Sequence, residues 1–139
     1  MKIMAIALVV LALILIVVPS FYTCASDGKA IKLPSGKNIP MKCLWTSRAE
    51  IGLGVLLLAA GVLLFFSREL ESRRFLSILA LIVGIFVILF PTKLIGVCGN
   101  PEMTCRVFMK PTLLLIGLVT AVLGITGTAW NFTRKLQTG

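Results

Sequence analysis

The sequence predicts an all-α membrane protein, a four-helix transmembrane bundle made by one domain over residues 1–139. Hydrophobic residues make up 58% of the chain, above the roughly 45–50% of soluble domains, and the mean hydropathy is +1.05. They form four long blocks near the ~20 residues that a bilayer core requires, at 3–18, 49–66, 75–90 and 112–130. Because unpaired amides are costly in hydrocarbon, and the blocks lack the alternation of barrel strands, we expect helices.

The first block follows Met1-Lys2, which resembles the start of a signal peptide. Cleavage after Ser20 or Ala25 is therefore one interpretation. The apolar run of about 16 residues is long for the hydrophobic core of a signal peptide, and three further spans follow, so we expect an uncleaved first helix. In the polar loop after it, turn-forming residues at 33–37 predict a short β-hairpin.

Residues 1–66 and 75–132 share an order of features that predicts two repeated helical hairpins. Each half has a proline at the end of an apolar block, then a cysteine, a Met-x-Cys motif and two glycines seven residues apart. These features are Pro19, Cys24, Met41-Lys42-Cys43, Gly54 and Gly61, and then Pro91, Cys98, Met103-Thr104-Cys105, Gly117 and Gly124. Both hairpins begin on the same side of the membrane, so we expect parallel units related by a pseudo-twofold axis along the membrane normal.

The paired glycines predict close helix packing. A spacing of seven residues places Gly54 and Gly61 on one face of the second helix, and Gly117 and Gly124 on one face of the fourth. Small residues allow backbones to approach closely in membranes, so we expect these two helices to form the tight central contact. Gly84 on the third helix is expected to matter less. The alternative is that glycine is simply common in membrane helices.

All four cysteines, Cys24, Cys43, Cys98 and Cys105, fall in the two loops on one side of the predicted bundle. This asymmetry indicates that the loops lie on the oxidising, extracytoplasmic side of a cell membrane. Both termini and the charged link at 67–74 would then be cytoplasmic. Six basic residues would lie inside and eight outside, so the positive-inside rule leans mildly against this orientation.

The repeat favours disulfides within each loop, Cys24 with Cys43 and Cys98 with Cys105, which would stabilise the fold by about 2–4 kcal/mol. A second interpretation is a Cu(I) site, because thiolates and thioethers select that ion. Its ligands would be Met41, Cys43, Met103 and Cys105 on extended segments. A third is a thiol–disulfide exchanger, although this function favours Cys-x-x-Cys, which the chain lacks.

Composition argues against most enzymatic sites. The chain has no histidine and only five acids, so the commonest general base and metal ligand is missing. The net charge of +9 is explained by anchors at lipid headgroups, and no nucleic-acid partner is expected. Glu50 is expected in the first turn of the second helix, where it meets the helix dipole, with an ion-pathway carboxylate as the alternative. Trp45 and Trp130 fit interfacial anchors.

Two motifs carry a family resemblance. Residues 41–46, Met-Lys-Cys-Leu-Trp-Thr, with Ala49-Glu50, and residues 98–106, Cys-Gly-Asn-Pro-Glu-Met-Thr-Cys-Arg, resemble the small bacterial four-span proteins of domain of unknown function 4418. The resemblance covers most of the chain. Members often carry histidine where this chain has Leu44, which weakens a metal-ligand role. The resemblance implies no known activity, but it implies that related proteins neighbour ABC-transporter permeases, which favours an accessory subunit.

We therefore expect a non-enzymatic accessory or interaction subunit of a membrane assembly, such as an ABC transporter. Its partners would be the lipid bilayer and other membrane subunits or a second copy, with no catalytic residue and no cofactor. The alternative is an extracytoplasmic protein that binds copper, with Cu(I) as cofactor, or that carries out thiol–disulfide redox chemistry.

Overall fold

The computed structural model describes residues 2–22, 31–39, 42–97, 99, 102 and 105–138. Long helices dominate this part of the chain, with two short strands in the first loop and two π-helical turns around the second. The elements in order are α1 (Lys2–Phe21), β1 (Ile31–Lys32), β2 (Asn38–Ile39), α2 (Lys42–Phe66), α3 (Leu70–Leu89), the first π turn (Phe90–Leu94), the second π turn (Cys105–Met109) and α4 (Lys110–Thr138).

Among the described residues, four helices are long and apolar enough to cross a membrane, which confirms the predicted four-helix bundle. Their candidate spans are Lys2–Phe21, Leu44–Phe66, Leu70–Leu94 and Arg106–Arg134. The helices extend further into polar sequence than predicted. α2 begins at Lys42 rather than at 49, because its polar first turns bury one face against neighbouring segments. α3 begins inside the charged link, at Leu70.

The predicted β-hairpin is present in the first loop. Ile31 pairs with Ile39 and Lys32 with Asn38 in an antiparallel ladder. The amide of Leu33 donates to the carbonyl of Lys37, and Gly36 closes the turn with a φ of 77°. A residue with a Cβ rarely adopts this φ, which explains glycine there.

The helices pack in a ring, α1 on α2, α2 on α3, α3 on α4, and α4 back on α1. The contacts between α1 and α2 and between α3 and α4 are much more extensive than the other two. Each helix contributes residues to one apolar core, which contains Leu8, Ala12, Leu15, Leu57, Leu64, Ala80, Val83, Val87, Met109, Leu113 and Ile116. Sequence neighbours therefore form two tight hairpins, and the hairpins meet along a thinner interface.

The glycines pack within each hairpin, and the expected tight contact between the second and fourth helices is wrong. A Cβ built on Gly54 would lie 2.7 Å from Ile16 Cγ1, and one on Gly61 would lie 2.9 Å from Val9 Cγ2, both on α1. On α4, the corresponding Cβ of Gly117 would lie 2.6 Å from Ile88 Cγ1 of α3. Consecutive helices are the closest neighbours, so each small face is used by its own hairpin partner.

Gly84 is central to the α3–α4 contact, contrary to the expectation that it matters less. Its Cβ would lie 2.7 Å from the amide nitrogen of Ala121 and 3.0 Å from the carbonyl oxygen of Gly117. A Cβ on Gly124 would lie 2.7 Å from the amide nitrogen of Leu81. These neighbours are backbone atoms, which cannot rotate away, so the two helices need glycine at both positions.

Candidate functional site

Buried polar side chains gather where α2 begins, at the loop end of the bundle. Thr46 and Glu50 have no exposed surface, and Ser47 is also buried. Residues separated by three or four positions share a helix face. Glu50 therefore lies one helical turn after Thr46 and Ser47, further from the loop end. The bundle thus holds three polar groups on a face that is apolar further along α2, at Leu57 and Leu64.

Two hydroxyls fasten α2 to segments that end neighbouring helices. The Ser47 hydroxyl donates a 2.8 Å hydrogen bond to the carbonyl oxygen of Pro19, in the last turn of α1. The last carbonyls of a helix have no N–H partner within it, so this bond satisfies one of them. The Thr46 hydroxyl donates a 2.8 Å bond to the carbonyl oxygen of Gly96. Both helix ends that lead into the loops are therefore tied to α2.

The first π turn positions the carbonyl group of Gly96, the acceptor for Thr46. The amides of Ile95 and Gly96 both donate to the carbonyl oxygen of Phe90, which closes the turn. Gly96 has a φ of 79°, a left-handed conformation that redirects the chain. The carbonyl oxygen of Gly96 thereby becomes the acceptor for Thr46.

Glu50 differs from its hydroxyl neighbours because its carboxylate has no hydrogen bond. Neither oxygen has a partner within the described part of the chain. The expected position in the first helical turn is wrong, since α2 begins at Lys42 and its first turn contains no acid. Glu50 lies about two turns inside the helix, where the exposed N–H groups of the helix end cannot stabilise it.

The cysteine predictions lie mostly outside the described residues, which omit Cys24, Cys98, Met41 and Met103. Of the other two cysteines, Cys43 is the second residue of α2 and Cys105 begins the second π turn. These helical positions differ from the extended segments expected for a Met-x-Cys ligand pair. Among the described residues, no three His, Cys, Asp or Glu side chains are grouped to hold a metal ion. The disulfides and the copper site stay predictions.

At the opposite end, arginines fix the 67–74 link. Arg73 donates to the carbonyl oxygen of Ser67 through Nε and Nη2, at 3.0 and 2.9 Å. The Nη2 of Arg74 donates a 3.0 Å bond to the carbonyl oxygen of Asn131 on α4, and its guanidinium lies 5.1 Å from the ring centre of Phe132. The charged link is thus part of the bundle and holds α3 against α4.

Sequence inspection identified Glu50 but placed it in the wrong environment. The available signal was its spacing from Ser47 and Thr46, which predicts a shared helix face. Burial of that face depends on where α1 and the first π turn end, and hydropathy alone does not determine this. The carbonyls of Pro19 and Gly96 gave no signal in the sequence, because every residue carries one.

Comparison with known proteins identifies one family. No curated protein and no solved structure matches the chain. The model of one family, described as "Domain of unknown function (DUF4418)", matches residues 3–130, which include all four candidate spans except the ends of the first and last. Since this match covers nearly the whole sequence, the chain belongs to the DUF4418 family.

Proposed function

We propose that the protein is a non-enzymatic accessory or interaction subunit of a membrane assembly, with an ABC-transporter permease as the first partner to test. The observation that carries this proposal is a small-residue face on the outside of α2. It consists of Gly52 and Ala59, both exposed. Apart from its chain neighbours and the nearby backbone of α2, no atom of the described residues lies within 4 Å of a Cβ built on Gly52.

The small-residue face has the spacing of a helix-packing surface. Gly52 and Ala59 are seven residues apart, like Gly54 and Gly61 on the buried side. Leu56 lies between these two residues on the same face and Leu63 lies one turn after Ala59, and their side chains are 44% and 58% exposed. Lipid chains gain nothing from small residues, whereas a second helix can approach closely over them. The face therefore suits a transmembrane helix of another subunit or of a second copy.

The matching surface of α4 lacks this feature. The glycines of α4, Gly117 and Gly124, follow those of α2 by 63 residues. With the same offset, Leu115 and Val122 correspond to Gly52 and Ala59, and their side chains are 63% and 50% exposed. Large apolar side chains at these positions suit contact with lipid. The comparison favours α2 as the helix that meets a partner.

The same proposal includes a duplicated hairpin. Ile88 and Gly84, the α3 neighbours of Gly117, follow Ile16 and Ala12, the α1 neighbours of Gly54, by 72 residues. The next glycine pair agrees, since Gly61 contacts Val9 and Gly124 contacts Leu81, again 72 residues apart. Equivalent contacts at two levels support parallel repeats. The proposed orientation, with the cysteine loops outside and both termini in the cytoplasm, rests on the distribution of the cysteines alone.

Site-specific photo-crosslinking in native membranes tests the interaction role. A photoreactive residue at position 56 should give an adduct with a membrane protein, identified by mass spectrometry as a permease or a second copy. The double variant Gly52→Leu, Ala59→Leu should lose it. A photoreactive residue at position 115 is the matched control and should label lipid. Lipid adducts alone at both positions would refute the interaction proposal.

A copper-binding or thiol-redox protein is the second candidate. Cys43 and Cys105 both lie where a helix begins, at the end of the bundle that carries the two loops. Such a shared end would allow the two Met-x-Cys motifs to supply soft ligands to one Cu(I) ion. The variants that separate this candidate from an accessory subunit are given in the Discussion.

A further inference from the structure

We propose that Glu50 is a proton-binding site inside the membrane-spanning part of α2. The carboxylate has no exposed surface and no hydrogen-bond partner among the described residues. It lies six residues after the start of the Leu44–Phe66 span, which corresponds to a depth of about 9 Å along the helix. This proposal concerns the chemistry of the chain alone and does not depend on a partner subunit.

A buried carboxylate at this depth needs a positive charge. Transfer of an isolated, ionised carboxylate into an apolar environment is so costly that the group takes up a proton or pairs with a cation. Metal ions such as Ca²⁺ and Mg²⁺ need about six or more oxygen ligands, whereas a proton needs no added volume. A proton is therefore the cation that suits a fully buried side chain.

Within the described part of the chain, the charged groups on the elements packed around α2 form no hydrogen bond with Glu50. On α1 the charged residue is Lys2, and on α3 they are Glu71, Arg73 and Arg74, all at the other end of the bundle. Nearer the loop end lie Lys42, Arg48, Lys93, Arg106 and Lys110. None of these donates a hydrogen bond to Glu50.

The second hairpin shows that the position does not need a carboxylate for packing. Under the proposed repeat, Leu113 of α4 corresponds to Glu50, 63 residues earlier. Leu113 is also fully buried. An apolar side chain of similar length thus fills the equivalent place in the same architecture, so the carboxylate has a role other than filling space.

Two buried hydroxyls, of Thr46 and Ser47, lie on the face of α2 that Glu50 shares, one turn nearer the loop end, and neither is hydrogen-bonded to the carboxyl group. Both hydroxyls lie between Glu50 and the loop end of α2, and they donate to the carbonyl oxygens of Gly96 and Pro19. A hydroxyl keeps acceptor capacity while it donates, and its hydrogen can rotate to a new acceptor. We therefore expect a proton that exchanges between Glu50 and the loop side to move along this hydroxyl-bearing face, after one hydroxyl turns from its carbonyl acceptor toward Glu50.

Labelling with dicyclohexylcarbodiimide tests the proposal. This lipid-soluble reagent adds to protonated carboxyl groups and leaves a stable N-acylurea that peptide mass spectrometry locates. In native membranes at neutral pH, Glu50 should be labelled well above Asp27, Glu69, Glu71 and Glu102. The yield should fall about tenfold per pH unit at the alkaline end, where most sites are ionised. Glu50→Gln should remove the label.

Infrared difference spectra of the purified chain give an independent result. Wild type minus Glu50→Gln should show the carbonyl band of a protonated carboxyl group at neutral pH, and this band should disappear as the pH rises. Glu50→Leu, which copies Leu113, should fold and lack the band. A carboxylate band at neutral pH, as from a pair with a loop lysine, would overturn the proposal. Absence of label on Glu50 would also overturn it.

Discussion

Gly84 of α3 and Ala121 of α4 bring two backbones into direct contact, since a Cβ on Gly84 would lie 2.7 Å from the amide nitrogen of Ala121. Gly124 of α4 makes a similar close contact with the backbone of Leu81 of α3. The obstructing atoms belong to the main chain. One added methyl group must therefore separate the helices.

Gly84→Ala and Gly124→Ala should each destabilise the bundle by about 1–3 kcal/mol, the usual cost of overpacking. Gly52→Ala is the matched control, because no atom lies near its Cβ position. That variant should be neutral or slightly stabilising, by up to about 1 kcal/mol, since alanine favours helix more than glycine does. Thermal unfolding in detergent measures all three. Equal melting temperatures for the three variants would exclude the close backbone contact.

Removal of the Thr46 or Ser47 hydroxyl should loosen the loop end of the bundle. Thr46→Val and Ser47→Ala leave the carbonyls of Gly96 and Pro19 without their donors, at a cost of about 1–3 kcal/mol each. Thr112→Val is the control, because within the described residues that hydroxyl donates to the carbonyl oxygen of Phe108, in the π turn that leads directly into α4. Hydrogen exchange around residues 19–22 and 94–97 should rise in the first two variants, and unchanged exchange would contradict these bridges.

Arg74→Met should weaken the α3–α4 contact at the end opposite to the loops. The substitution keeps much of the side-chain volume but removes the bond to the carbonyl oxygen of Asn131 and the contact with Phe132. We expect a loss of about 1–3 kcal/mol in the free energy of unfolding. Arg68→Met, at an exposed position in the same link, should have little effect. Equal losses for both variants would point to charge rather than to these contacts.

The cysteine loops should be extracytoplasmic, with disulfides between Cys24 and Cys43 and between Cys98 and Cys105. A membrane-impermeant maleimide applied to intact cells should label the chain only after a reductant is added. Efficient labelling without the reductant would argue against the disulfides. No labelling after reduction would place the loops on the other side of the membrane.

Met41→Leu with Met103→Leu separates the accessory role from copper binding. Leucine has a similar volume but offers no sulfur ligand, so the double variant should fold normally and keep its partner if the protein is an accessory subunit. Metal content of the purified protein is the measurement. Loss of stoichiometric copper from a folded variant would replace the accessory proposal with the redox-metal one.

The number and type of helices could be predicted because hydropathy alone identifies segments that cross a bilayer. Helix ends were harder, as α2 shows. Its residues 42–48 lie before the predicted apolar block, yet they are helical, and Thr46 and Ser47 in this segment find acceptors on other segments. The sequence also did not predict which helix packs on each glycine face, because spacing defines a face but not the helix that contacts it. The burial of Glu50 could not be predicted for the same reasons, because it depends on where α1 and the first π turn end.

The β-hairpin between α1 and α2 makes the chain tolerant of insertion at a defined place. Residues 33–37 are all exposed, and the turn at Gly36 is closed by its own local hydrogen bonds. Exposed loop tips of this kind accept added sequence without disturbing a core. An epitope inserted after Ser35 would therefore leave the four helices intact and would report which side of the membrane the loop faces.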